Sequence, residues 1–432
     1  MLTAFARAFK TPDLRRKLLF TVGIVAVFRL GSTLPTPGVD YTQINACISA
    51  AGTSNSVFGL INLFSGGALL QLSVFALGIM PYITASIIVQ LLGVVIPRFE
   101  TLRKEGHSGQ AKLTQYTRYL TIGLAVLQST GIIALARAHR LIPGCTRDVI
   151  FNRIGVWGII VMVVIMTGGT TLIMWLAELI TDRGIGNGMS ILIFTSIAAG
   201  FPSSLWAIKL AKGWPVFLMV IAVGLALVAL VVFIEQGQRR IPVQYAKRMV
   251  GRRMYGGTST YIPLKVNMAG VIPVIFASSL LYIPTLAASL GTPTSAWVIW
   301  VENNFTLGDH PLYMALYFGL IIFFTYFYVA ITFNPDEVSE DMKKYGGFVP
   351  GIRPGRPTAE YLGYVLSRIT LPGSLYLGLI ALIPLVALTL LNASPNFPFG
   401  GTAILIVVGV GLETVKQIES QLQQRNYEGF LR

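Results

Sequence analysis

IGVWGIIVMVVIMTGGTTLIMWLAEL, residues Ile154–Leu179, decides the fold class. Its sole charge, Glu178, sits beside its end. A helix rises 1.5 Å per residue and a bilayer's hydrocarbon core is about 30 Å thick, so roughly 20 apolar residues cross it. The stretch is apolar on every face. A membrane β-strand would be shorter and would alternate with period two. VFLMVIAVGLALVALVVFI, Val216–Ile234, reads the same way. Outward from these two, comparable stretches predict about ten spans. Their approximate bounds are 18–37, 72–96, 117–136, 154–179, 188–208, 215–235, 267–290, 312–333, 370–391 and 399–416. Composition agrees: the chain is 54% hydrophobic and 12% charged, whereas soluble domains carry about 25% charged residues. The first apolar stretch runs directly into further spans, so it does not read as a cleavable leader.

The formal net charge is +15. Topology accounts for most of it, because Lys and Arg gather in the short loops that set orientation. With the N-terminal tail cytoplasmic, that side holds Arg15, Arg16, Lys17, Arg98, Arg103, Lys104, Arg239, Arg240, Arg252, Arg253, Lys343, Lys344 and Arg353, among others. The opposite side holds Arg137, Arg140, Arg147, Arg153, Lys209 and Lys212. The excess predicts that both termini are cytoplasmic, although the arginine-rich loop 137–153 runs against it. Two loops on the predicted cytoplasmic side, 236–265 and 334–368, are far longer than the usual helix connection.

Ser56–Gln71 (SVFGLINLFSGGALLQ) is too short to span, and Gly66–Gly67 would break or sharply bend a helix. It reads as re-entrant or interfacial. Irregular backbone at membrane depth is tolerated only inside protein or along a water-filled cavity.

No nucleotide-binding loop, zinc spacing or catalytic triad is evident, so neither an enzyme nor a metal or cofactor is expected. His107, His139 and His310 fall in predicted loops without ligand spacing. Cys47 and Cys145 fall in loops on the outer side; whether they pair is open. Only Arg29 places a charge well within a span. Glu178, Glu235 and Glu413 lie toward cytoplasmic ends, where a side chain can reach the interface. An ion-coupled secondary transporter would normally keep a deeper carboxylate. Pro81 and Pro273 interrupt helical hydrogen bonding. Thr84, Gln128 and Asn267 could pair between helices, and ordinary helix packing explains them as readily.

From GIMPYITASIIVQLL (Gly78–Leu92) the sequence resembles the SecY/Sec61-alpha family of protein-translocation channels. FSGGAL (Phe64–Leu69), SGQAKLTQYTRYLT (Ser108–Thr121) and ITDRGIGNGMSILIF (Ile180–Phe194) agree. So do QYAKRMVGRR (Gln244–Arg253), PLKVNMAGVIPVIFASS (Pro263–Ser279), FNPDEVSEDMKKYGGFVPGIRPG (Phe333–Gly355) and FGGTAILIVVGV (Phe399–Val410). The resemblance implies an all-α integral membrane protein of about ten helices. Two pseudo-symmetric inverted halves, 1–208 and 209–432, would surround a central pore. It implies a pore ring at Ile79, Ile83, Met189, Ile193, Ile275 and Ile406. It implies a plug at 56–71 that includes Phe64, Ser65, Gly66 and Gly67. It implies a lateral gate of spans 2 and 3 against spans 7 and 8, for which Thr84, Gln128 and Asn267 are the candidate polar contacts. Arg252, Arg253 and Arg353 would dock a ribosome or motor ATPase, since an arginine fork grips carboxylate and phosphate. The implied partners are the small membrane subunits SecE and SecG, the SecA motor ATPase, the ribosome, signal peptides and nascent chains, and membrane lipid. The implied location is the bacterial cytoplasmic membrane. The competing readings are a secondary transporter and a poreless assembly scaffold.

Overall fold

The computed structural model describes residues 9, 11–51, 65–137, 148–151, 155–245, 248–250, 253–255, 259–290, 295–306, 310–391 and 401–428. The chain is mostly helical. The N-terminal helices are α1 (Pro12–Thr33), α2 (Tyr41–Ala51), α3 (Met80–Val95), α4 (Pro97–Lys104), α5 (His107–Arg137), α6 (Val156–Arg183) and α7 (Gly188–Glu235). After a small sheet come α8 (Ile272–Leu290), α9 (Ala296–Val301), a π-helical turn Glu302–Thr306, α10 (Pro311–Thr332), α11 (Pro335–Lys344), α12 (Arg356–Leu391) and α13 (Gly401–Glu428).

Among the described residues, five helical stretches are long and apolar enough to cross a bilayer: His107–Arg137, Val156–Arg183, Gly213–Glu235, Pro311–Lys344 and Arg356–Ile383. A sixth candidate is the bent pair Met80–Gly93 and Pro97–Arg103, which turns through 102°. The bend sits at Ile96, whose extended backbone (φ −102°, ψ 114°) is what a following proline enforces. The other predicted spans fall on helices that are shorter, or that carry charges along their length as α1 does with Arg16, Lys17 and Arg29.

Several sequence boundaries are corrected. The predicted span 72–96 becomes helical only at Met80. Residues 65–79 run as consecutive turns, with positive φ at Gly66, Gly67, Leu72 and Gly78. The predicted spans 188–208 and 215–235 are two helical stretches of α7 that meet at Gly213 (φ 79°, ψ −177°), a conformation open essentially to glycine alone. Pro215, which has no N–H to donate, follows the break. His107 opens α5 instead of lying in a loop. Cys47 lies buried on α2 and is disulfide-bonded; the chain's other cysteine is Cys145.

The loop 236–265 is a β-ribbon, which sequence reading missed. β1 (Gln238–Tyr245) pairs antiparallel with β4 (Ser259–Lys265), from Gln238↔Lys265 to Gln244↔Ser259. A second hairpin, β2 (Arg248–Val250) with β3 (Arg253–Tyr255), lies between them in sequence. The other edge of β1 takes β5 (Gly347–Phe348), giving the order β4-β1-β5. Ile241, Val243 and Leu264 pack with Met342, Val349, Leu362 and Val365 in one apolar cluster. The two long loops are therefore a single folded unit.

Two further apolar clusters order the helices. The larger joins α1, α3, α6, α7, α8, α10, α12 and α13. The other joins α2, residues 69–77, α5 and the start of α6. Leu14 near the start of α1, Ile185, and Ile418 near the end of α13 pack together, so the first and last helices share one end of the molecule.

Candidate functional site

Ile79, Ile83, Ile193, Ile275 and Ile406 are all buried in the larger apolar cluster, and Met189 packs against it. They arrive from α3, α7, α8 and α13. Local chemistry sets each position. Ile79 caps α3, and its carbonyl accepts from the Ile83 N–H at 3.1 Å, so the two stack one turn apart. Asn187 caps α7, its Oδ1 accepting from the Met189 N–H at 3.0 Å. Gly188 lets that helix start touch α6, because a Cβ there would lie 1.9 Å from the Ala177 carbonyl oxygen. Ile275 follows a turn at Gly270 (φ 61°), and its N–H donates to the Val271 carbonyl. Side chains from four helices thus belong to one buried apolar cluster.

Residues 65–79 pack at the far end of α1. The Ser65 hydroxyl accepts from the Leu69 N–H at 3.0 Å. The Thr36 N–H donates to Leu72 (3.0 Å) and the Val74 N–H to Leu34 (2.9 Å), stitching the segment to the chain that leaves α1. Val39 bridges Ile150, and the Asp40 N–H donates to Val149, so residues 148–151 join the same cap. Phe64 and the rest of 56–64 lie outside the described residues.

At the opposite end, Arg353 is exposed on a loop between Gly351 (φ 84°) and Gly355 (φ 99°). Thr358 Oγ1 donates to the Arg353 carbonyl at 2.8 Å and Ser339 Oγ to that of Gly355 at 2.6 Å. The loop backbone is thereby pinned with Arg353 toward solvent. Arg253 opens β3, paired in register with Val250. Arg252 lies outside the described residues.

The SecY family model matches residues 73–415. The chain belongs to the SecY family. It is 69% identical to a protein translocase subunit SecY of Streptomyces galbus, with each chain covered in full. It is 61% identical, again with both chains fully covered, to the subunit of the same name from Mycobacterium tuberculosis. Among solved structures it resembles one described as the structure of a protein conducting channel, at TM-score 0.61 and 17% identity, over 94% of this chain and 91% of that one. It also resembles Sec61 in the canine ribosome-channel complex from the endoplasmic reticulum, with TM-score 0.61, 17% identity and the same coverage. As a SecY-family member the chain is a multi-pass membrane protein and the channel subunit of a protein translocase, not an enzyme.

In SecY-family terms, spans 2 and 3 correspond to α3 and α5, and span 7 to α8. In the structure α8 packs against both. The three polar candidates are not joined to one another among the described residues. Thr84 donates to Met80 of its own helix at 3.0 Å. Gln128 is half-buried. Asn267 is buried; its Nδ2 donates to Glu235 Oε1 at 2.6 Å and to the Gly270 carbonyl at 3.1 Å.

Sequence reading also missed two long-range contacts. Arg118 holds Glu178 in a bidentate pair at 2.9 and 2.6 Å, joining α5 to α6. Arg103 Nη2 donates to the Ile331 carbonyl at 3.1 Å, joining α4 to the end of α10. A helix's last carbonyls lack partners within the helix, so a cation is welcome there. The opposite charges of Arg118 and Glu178 were visible in the sequence; a backbone acceptor such as Ile331 carries no sequence signal.

Proposed function

We infer that this chain is the gated conduit of a translocon in a bacterial cytoplasmic membrane, with both termini cytoplasmic. It passes unfolded preproteins across the membrane and releases membrane-protein helices sideways into lipid. The burial of Ile79, Ile83, Ile193, Ile275 and Ile406 in one apolar cluster, with Met189 packed against it, supports this reading. An apolar constriction excludes water and ions, and its side chains can still part around a peptide of any sequence. Shielding an isoleucine from water is worth roughly 1.5–3 kcal/mol. A ring of them therefore closes unless a passing chain replaces the lost contacts. Met189, unbranched, adds a mobile member.

Segment 56–71 acts as the plug on the outer side. The contact of α8 with α3 and α5 is the lateral gate, to which Thr84, Gln128 and Asn267 contribute polarity. Arg252, Arg253 and Arg353 dock SecA or the ribosome on the cytoplasmic ribbon, and SecE and SecG complete the membrane complex. The pinned Arg353 loop supports this, since a preset fork loses less freedom on binding.

The test is site-specific crosslinking from Ile83 and Ile275 to a translocation-arrested preprotein in the assembled translocon. Crosslinks that require the signal sequence are expected. An engaged chain that touches neither position would sink the ring assignment.

A further inference from the structure

Arg29 is a charge within the membrane that nothing in the conduit described above uses. Its guanidinium Nη1 donates to the Gly66 carbonyl at 2.7 Å. That bond ties α1 to the described part of the plug segment. The neighbouring residues seat the following chain on the same helix. Phe28 stacks on Phe75, with ring centroids 6.0 Å apart and planes 15° apart. Gly31 makes room for that ring, which would lie 2.1 Å from any Cβ at position 31. Gly66 presents its carbonyl from a left-handed turn (φ 67°), and a side chain there would press on Arg29 at 3.2 Å and on Ser196 of α7 at 3.3 Å.

A half-buried guanidinium at membrane depth is retained where it has a partner, and by default it marks function. Here the partner is a main-chain carbonyl, so the bond depends on where the plug sits and not on which side chains it carries. Displacing residue 66 breaks it.

We propose that Arg29 latches the plug and so sets how strong a signal sequence must be to open the channel. The inference rests on the plug reading above. The bond holds the plug where it lies here, and moving the plug away must rehydrate the guanidinium or offer it other carbonyls. A ligand shifts such an equilibrium only by its differential affinity for the two states. A strongly hydrophobic signal sequence overcomes the latch, and a weak one does not.

The experiment compares translocation of a preprotein carrying an intact signal sequence with one whose apolar core is shortened, using reconstituted translocons. Arg29→Ala is expected to raise transport of the defective preprotein about tenfold, the scale of a lost charge-assisted hydrogen bond. Transport of the intact preprotein should change little. Arg29→Lys, which keeps a charged donor, should retain most of the stringency. Deleting residues 56–67, which spares the buried Leu69 and Leu72, should relax stringency by itself, and Arg29→Ala should then add nothing. If the deletion relaxes stringency and Arg29→Ala does not, the latch is wrong and the plug stands. If the deletion leaves stringency unchanged, the plug reading fails and takes the latch with it. Should Arg29→Ala not accumulate, Arg29→Gln keeps a neutral donor. Intermediate stringency in that variant supports the latch, and parental stringency overturns it.

Discussion

Gly168 and Gly169 are adjacent in the sequence and opposite in circumstance. A Cβ at Gly168 meets nothing within 4 Å, whereas one at Gly169 would lie 2.1 Å from the Val74 carbonyl oxygen. Helix α6 comes this close to residues 65–79 only because position 169 has no side chain. Gly168→Ala should be neutral or raise stability by up to about 1 kcal/mol through helix propensity. Gly169→Ala should cost roughly 1–3 kcal/mol, because a main-chain carbonyl has to move. The melting temperatures of the purified complex check both; equal shifts would contradict the packing. No property of the letters G-G separates the two positions, so this part of the structure was illegible in sequence. The pore candidates were equally silent on their own. Ile83 and Ile275 look like any span isoleucine, and it was the resemblance, not their chemistry, that singled them out. Their meeting in one cluster is a tertiary fact.

At the scale of elements, long apolar runs were legible because crossing hydrocarbon fixes both length and composition. Their ends were less so. Helix α3 starts late because Leu72 and Gly78 take positive φ and Pro81 favours a helix's first turn. The predicted break between two spans in α7 falls at the single residue Gly213. A Cβ there would have open space, the nearest atom being Pro215 Cδ at 3.8 Å. Gly213→Ala therefore isolates the backbone cost, about 1–3 kcal/mol, and should lower the melting temperature without altering side-chain contacts; an unchanged value would mean the break relaxes freely. The β-ribbon left a weak trace in the alternation of Ile241, Val243 and Tyr245, which basic residues and Pro242 obscured. Val243 is buried where the two long loops meet, 3.4 Å from a Cβ built on Gly347. Val243→Asp puts an unpaired charge in that small core and should cost roughly 3 kcal/mol or more. Limited proteolysis should then cut both 236–265 and 334–368 faster, while the helical region stays protected. Cutting in one loop alone would show that the loops fold independently.

At the scale of the molecule, two strong polar contacts among the described residues lie within the proposed halves, and a weaker one crosses between them. Arg118–Glu178 is bidentate and joins two helices of residues 1–208. Asn267–Glu235 is short, and both residues belong to 209–432. Across the seam, Arg103 reaches the Ile331 carbonyl with one exposed bond, beside the apolar contact of α8 with α3 and α5. Such an arrangement suits the proposed lateral gate: contacts that stiffen each half, and a seam bond that water easily replaces. The two kinds of contact should separate in experiment. Arg118→Met strips Glu178, which is mostly shielded from solvent, of its partner; it should lower the melting temperature of the complex and leave signal-sequence stringency unchanged. Arg103→Ala removes about 1 kcal/mol from the closed seam alone. It should leave the melting temperature unchanged and raise signal-peptide crosslinking to α8 about fivefold at subsaturating peptide. If Arg103→Ala instead lowers the melting temperature and leaves crosslinking unaltered, the bond belongs to the static fold, and the seam resists opening through its apolar contacts alone.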